Sequence, residues 1–412
     1  ATGRADILIA GGIALIVPLS LLWNLEAGVL ALVVLRPSMD LLADRSIGSY
    51  GGHALNPASL TALMVIGVGL AALVERARLA LTSPVIVPFV LFTVVAAVGV
   101  PLAPSVSAAA TEWLRLCSIL IGYCLLYVVL TGQEKVRHAL IAVLLSGAIP
   151  ALVGIGQFVA GGKRTIGDYS RLTGTFLHPD PYGIYLGLLT VLAVALYAAA
   201  KGYVRPVSLV LLPLLIAALV GSYTRTGWAI ALAGVLVVGV LRSRWLLLLV
   251  PVVVVAVVVA VPSTTARVND VSANASPYGQ NNSFQSRVKQ WRTALPKATR
   301  RPLTGLGLTS IVRESSDAEL VHSDYIRTLV ETGVFGFAAY VWLMLAAVWS
   351  SAKAVRLTRS SEWPLKAAAL AGTSVGVAYL IASGDSNLIT QPAVSGTAWA
   401  ILACAHAARR LA

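Results

Sequence analysis

Apolar stretches long enough to cross a membrane recur from one end of the chain to the other, and this repetition leaves few folds open. They lie at about 7–22, 25–42, 58–74, 84–101, 113–130, 139–159, 181–200, 206–221, 226–241, 245–262, 325–350, 367–383 and 391–408. A run of about 20 apolar residues spans a hydrocarbon layer of ~30 Å as a helix. Hydrophobic residues make up 58% of the 412 and charged residues 12%, more apolar surface than a soluble chain could hide. The chain therefore reads as an all-α polytopic membrane protein of roughly twelve or thirteen transmembrane helices. The uncertain count comes from Trp23–Glu26, which barely separates the first two stretches.

The connections give an orientation. Those at 75–78, 132–138, 201–205, 242–244, 353–359 and 408–410 are short and basic, and they alternate with less basic ones. By the positive-inside rule the basic set faces the cytoplasm. The net charge of +14 is thereby explained without nucleic acid as a partner. No cleavable signal peptide is evident, and the chain opens on Ala1. One connection differs from the rest. Residues 263–322 form a long polar segment, with short helices expected in it, and a structureless loop of that length is normally functional. Its position between basic connections puts it outside the cytoplasm, since long loops translocate largely regardless of charge. Three regions follow: an N-terminal transmembrane bundle at 1–262, an extracytoplasmic module at 263–322 and C-terminal transmembrane helices at 323–412.

Charges at membrane boundaries are costly and need a reason. Arg225 lies in Ser222-Tyr223-Thr224-Arg225-Thr226, between two apolar runs with almost no loop. It either snorkels to the headgroups or binds an anion in an outward cavity. The neighbouring hydroxyls, Tyr223 among them, favour the anion. Arg171, counted among the substrate-binding groups, opens a loop that Pro179 and Pro181 pin before a helix, where Asp180 is read as a helix cap and His178 as a loop residue rather than a metal ligand. Further on, Phe284, Val288, Trp291 and Leu295 fall at helical spacing. That helix would lie along the membrane surface, with Arg287 and Lys289 able to reach a phosphate, or else present a solvated basic face. Trp291 and Arg292 on it are counted among the substrate-contacting groups. His322 stands where the polar segment returns to the membrane. A neutral imidazole there can take a proton from a hydroxyl, oriented by Asp324 or Glu319. Asp385 ends an apolar span and would either pair with an arginine or position an acceptor.

Other signals are weaker. Gly305 and Gly307 form a GxG with no βαβ unit or Walker spacing, so a tight turn is expected rather than a nucleotide site. Cys117, Cys124 and Cys404 all lie in apolar stretches and read as core residues. The nearest acidic pair is Asp317-Ala318-Glu319, too thin for a metal site. No metal and no cofactor is expected, the arginines doing the work a divalent cation would do on a pyrophosphate.

Four stretches together carry a family likeness: RLTGTFLHPDPYGIYL at 171–186, SYTRTGWA at 222–229, SRVKQW with RPLTGLGL at 286–308, and HSDYIRTLVETGVFG at 322–336. With these the chain resembles the O-antigen ligase and O-antigen polymerase superfamily of bacterial envelope glycosyltransferases. The likeness covers most of 165–340, and the remainder by topology. Where many members carry Asn after the His, this chain has Ser323. The resemblance implies a GT-C-like fold in the bacterial cytoplasmic membrane, with an active site facing the periplasm or exterior. It also implies an undecaprenyl-diphosphate-linked glycan donor and a glycolipid or glycan acceptor. By position Arg225 and Arg287 match the family's essential arginines, His322 its base and Asp385 an acid near the last outer turn. Attack by the acceptor hydroxyl would invert the anomeric centre. A ligase acting on a surface acceptor such as lipid A core is favoured over a polymerase using the same donor. A polyprenyl-lipid or ion-coupled transporter is the remoter alternative, since no inverted pair of broken helices stands out.

Overall fold

In a computed structural model, residues 19–42, 48–50, 53–55, 57–162, 164–166, 169–260, 283–311 and 321–412 are described. The helices used below are α1 (Leu25–Leu35), α2 (Pro57–Glu75), α3 (Ile86–Val98), α4 (Val106–Val129), α5 (Gln133–Leu145), α6 (Ala148–Ala160), α7 (Pro179–Ala199), α8 (Val204–Gly221), α9 (Arg225–Leu241), α10 (Arg244–Ala260), α11 (Ser283–Ala294), α12 (Asp324–Leu357), α13 (Trp363–Ala382) and α14 (Pro392–Leu411). Two small hairpins are added: β1 (Gly48–Tyr50) pairs with β2 (His53–Leu55), and β3 (Arg164–Ile166) with β4 (Tyr169–Arg171). The chain is a polytopic helical membrane protein. Among the described residues six helical stretches are long and apolar enough to cross a membrane, and four shorter apolar helices accompany them. The stretch at 7–22 lies mostly outside the described residues, as do Asp317 and Glu319.

Side-chain size sorts inner helices from outer ones. In lipid, apolar side chains gain little by leaving the hydrocarbon, so helices associate where small residues let backbones approach. Accordingly α7 and the Ala- and Gly-rich α13 are the most enclosed of the six long spans, 89% and 78% buried. The Val- and Leu-rich α10 instead leaves Leu248, Val252, Val255 and Val259 exposed. Gly227 of α9 meets Gly183 of α7 so closely that a Cβ there would lie 2.4 Å from the Gly183 carbonyl oxygen. The first turns of the two helices are thereby brought together.

Several boundaries differ from the sequence reading, each for a local reason. The span expected from 113 begins at Val106, where Ser105 Oγ accepts from the Ala108 amide. Glu112 and Arg115 in it are paired: Arg115 with Glu112 at 2.9 Å, and Glu112 with Arg327 of α12 at 3.3 Å. Arg327 also reaches Glu331 at 3.0 Å, so this buried arginine ties α12 to α4. The stretch 139–159 is two helices, α5 and α6, meeting at Gly147.

The GxG is more than a turn. Helix α12 is broken at Gly333, whose φ of 68° and ψ of −169° are not helical. A break in a spanning helix exposes backbone groups that must find partners inside the protein. The 302–307 segment supplies them. The Leu306 and Gly307 amides donate to the carbonyls of Val330 and Glu331 at 2.9 and 3.0 Å, and the Val334 amide donates to Pro302 at 2.8 Å. Gly333→Ala is therefore expected to destabilise the protein. Strain at such a φ is of order 1–3 kcal/mol, and the added methyl would sit 2.3 Å from the Leu303 carbonyl oxygen. Thermal unfolding in detergent measures this, and an unchanged Tm would contradict the docking.

Candidate functional site

The N-terminal ends of α7, α9 and α12 lie at one end of the bundle, beside the turn at 383–389 that follows α13. Hydrogen bonds hold them there. Arg171, at the end of β4, is 4% exposed, and two nitrogens of its guanidinium are engaged. Its Nε donates to the Ser222 carbonyl at 2.8 Å, and its Nη2 donates to Asp180 Oδ1 at 2.5 Å and to Thr224 Oγ1 at 2.9 Å. Thr224 Oγ1 in turn donates to the Pro179 carbonyl at 2.9 Å. Arg171, expected to bind substrate, thus ties the start of α7 to the start of α9. Asp180 is not the cap it was read to be. The cap is His178, whose Nδ1 accepts from the Asp180 amide, while the Asp180 carboxylate takes Arg171.

Asp324 has other partners than the expected imidazole. Fully buried, it accepts from the amides of Leu388 at 3.1 Å and Ile389 at 3.4 Å, and from the Tyr340 hydroxyl at 3.2 Å. Its own amide donates to the Ser383 carbonyl at 2.8 Å. The carboxylate pins the 383–389 turn to the first turn of α12.

That turn presents Asp385. Its Oδ2 pairs with Arg287 of α11 and accepts from Thr226 Oγ1 of α9 at 3.0 Å. Ser386 donates to Thr226 Oγ1 at 3.4 Å. Of the two readings of Asp385, pairing with an arginine is the one observed. Helix α11 is seated by Trp291, whose Nε1 donates to the His322 carbonyl at 3.3 Å, and by Ala294, Ile311, Val321 and Val330 in a small apolar cluster. Leu295, expected on the buried face, is exposed because the chain leaves the α-helix there for the 3-10 turn Leu295–Arg300. Arg292 and Lys289 point outward as exposed side chains.

Arg225 is the first residue of α9, at the positive end of the helix dipole. Tyr223, two residues earlier, is one of two non-glycine residues among those described with positive φ, at 49°, a conformation that stores strain and recurs at functional sites. His322 is half-buried. Its imidazole titrates below the usual range, first because burial disfavours the cation and next because the Arg287 charge repels it. Asp180 and Asp385 act the other way on it. Among the described residues its ring nitrogens make no hydrogen bond, which leaves one able to accept from an incoming hydroxyl.

The structure thus gathers Arg287, His322 and Asp385 from separate elements, at the start of α9 where Arg225 lies, and joins to them Asp180, Thr226 and Ser386, which the sequence reading had not assigned to the site. The Pro-Asp-Pro run was the available signal for Asp180. Convergent helix N-termini with two arginines suit an anion. The neutral imidazole beside them suits removal of a proton. Residues 209–341 match the family model described as O-antigen ligase. The match takes in Arg225, Arg287 and His322 and leaves Arg171, Asp180 and Asp385 outside it. No curated protein matches the chain.

His322 is expected to titrate below about 6.5, the ordinary value for histidine. Arg287→Gln removes the largest of the charges that depress it, so it should move the titration upward. NMR of labelled histidines, assigned with His322→Gln, reads both. A value at or above 6.5 in the unsubstituted protein would contradict the geometry.

Proposed function

We propose, from the match of residues 209–341 to the family model described as O-antigen ligase, that the chain transfers a glycan from an undecaprenyl-diphosphate-linked donor to a hydroxyl of a cell-surface glycolipid or glycan. The reaction takes place on the outer face of the bacterial cytoplasmic membrane. The observation that carries this reading is the meeting of Arg287, Asp385 and His322 at the start of α9, which begins with Arg225. Displacing a lipid diphosphate needs charge compensation on the departing oxygens and a place for one proton. Arg225 and Arg287, with the helix N-termini behind them, supply the first. His322, uncharged near neutral pH, supplies the second.

In this scheme the acceptor oxygen attacks the anomeric carbon from the face opposite the diphosphate. The new C–O bond forms as the bond to the diphosphate breaks, and the centre inverts. The acceptor proton passes to His322, and the negative charge of the leaving group stays with the arginines. Arg287 is held by Asp385, so an arriving diphosphate takes over part of that guanidinium. Asp385 is then free to accept from the acceptor sugar. Tyr223, before α9, and Trp291 and Arg292, on α11, are the further substrate contacts of this scheme. Asp324 and Arg171 serve it by holding the turn and the helix starts.

A polymerase would use the same donor chemistry, and purified enzyme separates the two. With donor alone a ligase is expected to make no longer glycan, and with donor plus a core-lipid acceptor it is expected to glycosylate that lipid. Chain growth from donor alone would make it a polymerase. Arg287→Lys replaces a bidentate fork with a point charge and is expected to cost about 10²–10³ in turnover, the usual loss for one charge-stabilising donor. His322→Ala is expected to keep donor binding and lose transfer. Near-normal turnover in either variant would remove that residue from the reaction. A chelator is expected to leave transfer unchanged, and a loss restored by Mg²⁺ would refute the metal-independent scheme.

A further inference from the structure

The helices that build the candidate site at one end build a second feature at the other. The C-terminal ends of α7, α9 and α12 and the first half of α13 enclose a cavity of about 500 Å³. Arg242, Arg356, Arg359 and Lys366 line it, and no acidic side chain does so among the described residues. None of the four is in an ion pair with a described carboxylate. Arg242 Nε donates to the Ala198 carbonyl at 3.3 Å, one of the last carbonyls of α7. Four like charges around one cavity repel one another unless an anion joins them.

The cavity is amphiphilic along its depth. Arg356, Arg359 and Arg242 lie at helix ends, and Lys366 one turn inside α13. The wall then continues past Leu370 to Thr373, about 15 Å along the helix from Trp363. Ala199, Leu241, Ala352 and Val355 complete an apolar side. A soluble anion would use only the cationic rim. A phosphate carrying an acyl stem would use both. These are also the helix ends whose basic connections belong on the cytoplasmic side, where the leaflet is rich in anionic lipid and basic pockets between helices take lipid headgroups.

We propose that this cavity is a binding site for the phosphate headgroup of an anionic phospholipid, distinct from the transferase site and at the opposite ends of the same helices. The test uses full-length protein in neutral detergent, titrated separately with phosphatidylglycerol, phosphatidylcholine and glycerol 1-phosphate. Thermal unfolding and native mass spectrometry are the readouts. Phosphatidylglycerol is expected to raise Tm and to remain bound, and phosphatidylcholine to do neither. Replacing Arg356, Arg359 and Lys366 together by Gln is expected to weaken phosphatidylglycerol binding roughly fivefold per charge removed. Arg356→Lys with Arg359→Lys, which keeps the charge, is expected to retain it. Equal effects of the two lipids, or unweakened binding by the Gln variant, would overturn the site. A Tm rise from glycerol 1-phosphate matching that from phosphatidylglycerol would overturn the lipid as its occupant.

Discussion

One buried carboxylate fixes the geometry on which the candidate site depends. Asp324 has no exposed surface and is bonded to the amides of Leu388 and Ile389 and to the Tyr340 hydroxyl. A carboxylate out of water is costly unless its lone pairs are filled, so these partners are obligatory. Filling them joins the first turn of α12 to the turn after α13. His322 lies two residues before Asp324, and Asp385 lies three before Leu388. Through Asp385 the constraint reaches Arg287 on α11 and Thr226 on α9. The neighbouring tie, Arg171 to Asp180, Thr224 and Ser222, does the same for the starts of α7 and α9. Polar groups with fixed partners thus hold the site, while Arg287 and His322 remain partly exposed to what arrives.

The break in α12 belongs to the same design. A continuous helix through Gly333 would leave the segment at 302–307 without partners. The break instead lets that segment hydrogen-bond across it, and so fixes 302–307 against α12. The Leu308 amide reaches the Gly99 carbonyl at 3.2 Å, which carries the tie on to the end of α3.

The fold class was legible in the sequence because lipid imposes it. Apolar runs of one length, spaced by basic and less basic connections, admit little else. Span limits were less legible where charges are paired over long distances. The span expected from 113 takes in Glu112, whose partner Arg327 is over two hundred residues away. At the site, individual residue types pointed to anion binding and proton removal, and Arg225, Arg287 and His322 were named on that basis and on family likeness. Their partners were not legible. Asp180 reads locally as a cap because it follows a proline at a helix start, and only the fold brings Arg171 against it. Asp324 adjoins His322 in sequence, yet helix geometry turns its carboxylate inward. Thr226 and Ser386 carry no signal of their own, being ordinary hydroxyls until Asp385 lies between their elements.

The central claim is that Arg225 and Arg287 receive the donor's diphosphate with His322 facing the anomeric carbon. The most direct measurement is a cryo-EM structure of the His322→Gln protein with an undecaprenyl-diphosphate-linked glycan bound. Diphosphate oxygens within hydrogen-bond reach of both guanidiniums, with residue 322 on the opposite side of the anomeric carbon, are the expected result. Density for the diphosphate away from Arg287, or residue 322 on the leaving-group side, would contradict it.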